Sequence, residues 1–180
     1  GELNHTHDFI EKNFLENEFI FTKKTIDEFG EKEFVNFQEY FLKKIDSDKN
    51  IITDKAPLNF KWIGFLLITF PNCKIIHSIR NPMDICWSMY KNYFPSKRLN
   101  FSYSLDNLGS YYLLYKNMMD FWNNTFKDRI YNIEYENLIK NNEKETKNLI
   151  NYCNLEWDEN CMTFYKNKKS VSTASLAQVR

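Results

Sequence analysis

The residues best suited to chemistry are the run Arg80-Asn81-Pro82 and the later Ser88. Proline suits the first position of a helix, and the asparagine before it can cap that helix. Helix N-termini attract phosphate, and an arginine guanidinium adds a bidentate donor. We therefore predict a small pocket for one phosphate or sulfate, formed by Arg80, the backbone of residues 81–83 and Ser88. A solvated arginine and an incidental helix serine would give the same pattern, and the residues alone favour neither interpretation.

The rest of the chain offers no second phosphate-binding loop. Its four glycines are Gly1, Gly30, Gly64 and Gly109, and neither GxxxxGK nor GxGxxG occurs. Those loops are the usual cradles of nucleotide phosphates. The predicted anion site is therefore either half of a nucleotide site or a site for a single phosphate.

Short strands must position these cations. We predict strands near 51–54, 74–79 and 129–133, separated by helices. This alternation indicates an α/β fold with a parallel sheet flanked by helices on both faces. Ligands of such sheets bind beyond the carboxyl ends of the strands. Lys55 follows the first predicted strand and Arg80 follows the second, which favours a common anion site.

Helical patterns occur at several places along the chain. Residues 6–46 are helical in character, and Phe34, Phe37, Tyr40 and Phe41 give the part around 31–45 an apolar face. A helix should follow Pro57, and a long one should run from about 105 to 126. Two short helices are predicted near 142–153 and 158–166, and a loop at 95–103.

Composition predicts one domain, 1–180, with a sizeable core, because 43% of the residues are apolar. The 24 basic and 24 acidic residues balance, which disfavours a nucleic-acid partner. The longest apolar run, 63–70, is too short to span a membrane. The cysteines and histidines lack zinc spacing, so we expect no metal and free thiols in a cytoplasmic protein, with a Cys153–Cys161 disulfide as the alternative.

Residues 53–94, TDKAPLNFKWIGFLLITFPNCKIIHSIRNPMDICWSMYKNYF, resemble the core of the nucleotide-dependent sulfotransferases, whose fold is related to that of the P-loop NTPases. The likeness is strongest to bacterial enzymes linked to helical repeats, which are akin to tyrosylprotein sulfotransferases. Further matches are GEL at 1–3, YY at 111–112, IEYENL at 133–138, CNLEWDENC at 153–161 and VSTASLAQVR at 171–180.

The resemblance implies a nucleotide site. Arg80 and Ser88 match the pair that binds the 3′-phosphate of 3′-phosphoadenosine-5′-phosphosulfate (PAPS). Tyr135 resembles the tyrosine near the adenine. Arg180 lies in a late segment that returns to the nucleotide in relatives.

The resemblance also implies two catalytic residues. Lys55 resembles the lysine that stabilises charge on the bridging oxygen of the transferring sulfuryl group. Glu2 resembles the acidic region that supplies a general base to the acceptor hydroxyl, although Leu3 fills the other position at which relatives place an acid.

The implied function is transfer of a sulfuryl group from PAPS to a hydroxyl or amine acceptor, without a metal, leaving adenosine 3′,5′-bisphosphate. One alternative is a fragment or nucleotide-binding domain without turnover. Another is a different phosphate-handling α/β protein such as a kinase, which the missing Walker lysine disfavours.

Relatives begin with a strand and a Pro-x-Ser-Gly-Thr-Thr type loop that binds the 5′-phosphosulfate, and we expect this element upstream of Gly1. We therefore expect the chain to be an internal fragment, incomplete at both ends, with little sulfuryl transfer of its own. Sheet surface left open where the first strand belongs would promote a homodimer.

Overall fold

The computed structural model describes residues 3–16, 20–21, 27, 29–45, 48–94 and 96–166. The chain divides into two compact units, Gly1–Cys73 and Lys74–Arg180. Each unit contains its own buried hydrophobic residues. That the two together make one domain stays a prediction.

The first unit is mainly helical. Its helices are α1 (His5–Phe14), α2 (Glu31–Ile45) and α3 (Ile63–Thr69), with a 3-10 helix at Pro57–Trp62 and an antiparallel hairpin of β1 (Leu15–Glu16) and β2 (Ile20–Phe21). The prediction of helical character throughout 6–46 is therefore wrong at the hairpin, where the two backbones pair with each other. The helix predicted around 31–45 is confirmed.

Helix α2 begins where local chemistry favours it. The Glu33 carboxylate reaches back to accept the Gly30 N–H at 2.9 Å, which satisfies a donor at the helix start. Glutamates in the first turn and lysines in the last turn complement the helix dipole.

The core of the first unit is aromatic. Phe37 of α2 is fully buried, and its ring centroid lies 5.1 Å from that of Phe9 and 4.7 Å from that of Phe65. Tyr40 and Phe41 pack beside it, as the helical spacing predicted. The apolar face of α2 therefore docks on α1 and α3.

The second unit contains the parallel sheet. In chain order its elements are β3 (Ile75–Ile79), α4 (Pro82–Lys91), α5 (Leu105–Thr125), β4 (Ile130–Glu134), α6 (Tyr135–Lys140) and α7 (Asn142–Tyr152), with 3-10 helices at Lys97–Tyr103 and Glu159–Lys166. The predicted strands at 74–79 and 129–133 and the helices at 105–126 and 142–153 are confirmed within one residue. Helix α6 was not predicted, and the predicted loop at 95–103 contains a 3-10 helix.

Strands β3 and β4 run parallel, and their register pairs Ile75 with Ile130 and Ile79 with Glu134. Helices lie on both faces of this sheet. His77 of β3 hydrogen-bonds to Tyr115 of α5 on one face. Alternate residues of a strand point to opposite faces, so Tyr131 points away from the face of Asn132 and His77. There its ring lies 5.0 Å from the Tyr152 ring of α7. The predicted α/β fold with a flanked parallel sheet is confirmed.

The strand predicted at 51–54 is wrong. This segment has no regular structure, and Ile51 and Ile52 are 61% and 41% exposed. Its β-branched residues favour a strand only where a neighbouring strand pairs with them. Instead, the Asp54 carboxylate accepts hydrogen bonds from the Leu3 N–H at 3.1 Å and the Asn59 side chain at 2.8 Å.

A polar network ties the sheet to α5. Asn132 donates to the Asn123 Oδ1 at 3.0 Å, so its own Oδ1 accepts from His77 Nδ1 at 2.7 Å. His77 Nε2 is then the acceptor for the Tyr115 hydroxyl. Burial lowers the pKa of His77, against the opposing effect of the Asn132 hydrogen bond, and so favours this neutral form.

We expect Tyr115→Phe to lower the free energy of unfolding by about 1 kcal/mol near neutral pH, because His77 Nε2 would lose its donor. The stability contributed by neutral His77 is present above its ordinary pKa of 6.5 and is lost as pH falls through the lowered value. Urea unfolding at several pH values would measure both effects. Tyr112→Phe, a neighbouring ring, is the matched control, and equal effects of the two substitutions would contradict the network.

Candidate functional site

The carboxyl ends of β3 and β4 bring Arg80 and Tyr135 together. Ile79 pairs with Glu134 at the ends of two parallel strands. The residues that follow them, Arg80 and Tyr135, therefore lie at the same edge of the sheet. The Arg80 guanidinium carbon lies 4.9 Å from the centroid of the Tyr135 ring, which is a cation–π contact. Two residues that were predicted to bind one nucleotide are thus in direct contact.

The helix after Arg80 begins as the sequence predicted. Pro82 occupies its first turn, and the Asn81 side-chain oxygen accepts the N–H groups of Met83 at 2.9 Å and Asp84 at 3.4 Å. Asn81 is therefore the N-cap.

The same cap corrects the predicted phosphate pocket. Pro82 has no N–H, and those of Met83 and Asp84 already bond to Asn81. The prediction that backbone N–H groups of residues 81–83 are free for a phosphate is therefore wrong in this structure, because the Met83 N–H bonds to the capping side chain and the Asn81 N–H bonds to Glu136. Phosphate binding by Arg80 and Ser88 stays a prediction.

One carboxylate contacts the Arg80 guanidinium and a second bonds to the adjoining backbone. Arg80 Nη2 lies 3.5 Å from Asp84 Oδ2, and both side chains are well exposed, by 44% and 57%. The Asn81 N–H donates to Glu136 Oε1 at 3.0 Å. We call Arg80, Asn81, Asp84, Tyr135 and Glu136 the strand-end site. It holds one formal positive charge and two formal negative charges.

The electrostatics of Glu136 follow from these neighbours. The hydrogen bond from the Asn81 N–H is the main cause that lowers the pKa of the Glu136 carboxyl. A hydrogen bond from its own backbone and the positive charges of Arg80 and Lys140 lower it further, while desolvation works in the opposite direction.

Ser88 lies further along the same helix and is half-buried. Its carbonyl accepts a hydrogen bond from the Asn92 side chain at 2.7 Å. Residues four apart share a helix face, so Asp84 precedes Ser88 by one turn on one face of α4. An anion held by both Arg80 and Ser88 would lie alongside Asp84.

Three further site residues were predicted, namely Lys55, Glu2 and Arg180. Lys55 is exposed and belongs to the first unit, in the irregular segment before the 3-10 helix at Pro57–Trp62. Glu2 and Arg180 lie outside the described residues.

Sequence reasoning missed both carboxylates of the strand-end site. The spacing of four residues between Arg80 and Asp84 would have indicated an ion pair. No local signal marks Glu136, because 55 residues separate it from Asn81.

Other chemistry is limited in the part of the chain that the structure describes. Cys73, Cys86, Cys153 and Cys161 form no disulfide with one another, so the alternative Cys153–Cys161 disulfide is absent. No group of three or more His, Cys, Asp or Glu side chains among the described residues could hold a metal ion. None of the helices described has the length and apolarity needed to cross a membrane.

In open α/β sheets ligands bind beyond the carboxyl ends of the strands, which is where this chain presents Arg80 and the Tyr135 ring. The sulfotransferase family model matches residues 8–159, which include Lys55, Arg80, Ser88 and Tyr135. The chain therefore belongs to the sulfotransferase family.

A curated relative is an uncharacterized protein of Aquifex aeolicus (strain VF5), which is 34% identical to this chain over 158 residues. The alignment covers 85% of this chain but 21% of the relative, so the chain spans about a fifth of the length of the protein it matches. No solved structure matches the chain significantly.

We expect Glu136 to titrate below its ordinary value of 4.5. Its contribution to stability is then present above that value and is lost as pH falls through the lowered pKa. Arg80→Ala should raise the pKa of Glu136 only part of the way back to its ordinary value, because the hydrogen bond from the Asn81 N–H remains. Carboxyl carbon NMR would follow the titration, with Lys116→Ala as the control for loss of one positive charge. A midpoint at or above 4.5 in the unmodified chain would contradict the contact between Glu136 and Asn81.

Proposed function

We propose that the strand-end site binds the 3′-phosphate of PAPS through Arg80 and Ser88, with the adenine near Tyr135. The complete protein would transfer the sulfuryl group to a hydroxyl or amine and release adenosine 3′,5′-bisphosphate. The observation that carries this proposal is the contact between Arg80 and Tyr135 at the carboxyl ends of parallel strands, in a chain of the sulfotransferase family.

The chemistry of the site supports a phosphate ligand. The Arg80 side chain is 44% exposed, so a ligand can reach the guanidinium. A guanidinium offers a planar fork of donors that fits two phosphate oxygens at once. Tyr135 is 39% exposed, and bases commonly stack on aromatic rings in nucleic-acid-binding proteins.

Reaction chemistry would require further residues. We propose Lys55 as the cation near the transferring sulfuryl group, where it would stabilise charge on the bridging oxygen. On the same resemblance to the sulfotransferase family, we propose Glu2 as the general base and Arg180 as a second contact with the nucleotide. Relation to the bacterial, helical-repeat-linked enzymes is also proposed, on the motifs at 53–94.

Binding of the 3′-phosphate can be tested with two nucleotides. We expect adenosine 3′,5′-bisphosphate to bind more tightly than adenosine 5′-monophosphate in titration calorimetry. Arg80→Ala should remove most of this difference, about 1.5 kcal/mol or roughly tenfold in affinity, because a charge-assisted hydrogen bond is lost. Ser88→Ala should have a smaller effect, since a neutral hydroxyl is a weaker donor.

Lys116→Ala is the matched control, because it removes one exposed positive charge from α5. It should leave the preference for the bisphosphate unchanged. Equal affinity for the two nucleotides in the unmodified chain, or a preference that survives Arg80→Ala, would show that this site does not bind the 3′-phosphate.

A further inference from the structure

We propose that the Glu136 carboxylate is a built-in competitor for the phosphate at Arg80, and that it leaves the Asn81 N–H when a phosphate monoester binds. This inference rests on the proposed function of the strand-end site and concerns how that site is controlled. It makes Glu136 a determinant of which anions the site accepts.

The position of the carboxylate is the first observation. The Asn81 N–H directly follows the strand-end arginine, and it donates to Glu136 Oε1 at 3.0 Å. A backbone N–H adjoining a guanidinium and a helix start suits a phosphate oxygen. A carboxylate oxygen of this chain accepts that hydrogen bond instead.

The second observation is which backbone donors can be released. The N–H groups of Met83 and Asp84 bond to the capping oxygen of Asn81, and freeing them would remove the cap of α4. The Asn81 N–H bonds to the side chain of Glu136, which can rotate away without disturbing that cap. Among the backbone N–H groups of residues 81–84, that of Asn81 is therefore the most readily exchanged.

Charge makes the exchange selective. The Arg80 guanidinium faces the Asp84 carboxylate at 3.5 Å, and the Glu136 carboxylate adds a second negative charge to the strand-end site. Glu136, whose pKa lies below its ordinary value of 4.5, is ionised at neutral pH. A monoanion would replace one carboxylate with an equal charge and gain little. A phosphate monoester, which carries about −1.5 to −2 at pH 7, attracts Arg80 more strongly.

A purely positioning role for Glu136 makes the opposite prediction. If its hydrogen bond only holds Asn81 and Arg80 in place, a neutral acceptor of the same shape would preserve or weaken binding. Glu136→Gln separates the two roles, because the amide keeps an oxygen acceptor but loses the negative charge.

The test is to titrate adenosine 3′,5′-bisphosphate and adenosine 5′-monophosphate into the unmodified chain, Glu136→Gln and Glu143→Gln. Glu143 is the matched control, since it is an exposed glutamate in an ion pair with Lys147. We expect Glu136→Gln to bind the bisphosphate about three- to tenfold more tightly at low salt, with a smaller gain at high salt. Both affinities of Glu143→Gln should stay unchanged.

A second measurement does not depend on the nucleotide. The Asn81 amide resonance should shift when inorganic phosphate is added, and the shift should saturate at lower phosphate concentration in Glu136→Gln. Chloride at the same ionic strength should leave this resonance in place.

The outcomes separate the two proposals. Unchanged or weaker bisphosphate binding by Glu136→Gln, with a preference that still depends on Arg80, would overturn the competitor role and leave the proposed function standing. Phosphate-dependent shifts at Asn81 that strengthen in Glu136→Gln, without any nucleotide preference, would support the competitor role and overturn the proposed function. An Asn81 amide resonance that does not shift with phosphate, in either the unmodified chain or Glu136→Gln, would overturn the competitor role.

Discussion

Parallel pairing of β3 with β4 in a single register determines which side chains meet at the carboxyl end of the sheet. Ile79 pairs with Glu134, so Arg80 emerges beside Tyr135 and the Asn81 backbone emerges beside Glu136. A slip of one residue would turn the side chains of one strand to the opposite face and separate these partners. The candidate site is therefore a consequence of strand register more than of any single motif.

The polar network upstream helps to specify that register. His77 pairs with Asn132 across the ladder, and both side chains bond to α5, through Tyr115 and Asn123. In a slipped register His77 and Asn132 would no longer share a face of the sheet, and the half-buried His77 would lose its partners at a cost in stability. Hydrophobic pairing alone specifies the register less strictly, because one isoleucine of a strand can take the place of a neighbouring isoleucine in a shifted register. His77 lies three residues before Arg80 in the chain. By helping to specify the register, its hydrogen bonds also help to determine where Arg80 lies.

The sequence predicted what local patterns determine. Apolar runs bounded by turn residues indicated β3 and β4, helical spacing indicated α2 and α5, and the Asn81-Pro82 pair indicated the start of α4. The strand at 51–54 failed because strand formation depends on a partner that a local pattern cannot supply. The contact between Glu136 and Asn81 could not be predicted either, since it requires the register of two strands and the start of α6, which the sequence did not indicate. The occupied first-turn N–H groups could have been predicted, because a capping asparagine uses the donors that a phosphate would need.

Charge balance at the strand-end site changes how an anion site in this chain must work. The whole sequence carries no net formal charge, so no long-range field draws anions toward it. At short range, Asp84 and Glu136 offset the guanidinium of Arg80. If the site binds an anion as proposed, the binding energy would come from contacts that form when the anion displaces a carboxylate. Exposed ion pairs are weak enough for such displacement. A site of this kind gives up affinity for small monoanions, which are abundant competitors, and retains it for ligands whose charge and shape use the whole guanidinium fork. In the proposed site, selectivity would thus arise from the same carboxylates that weaken anion binding.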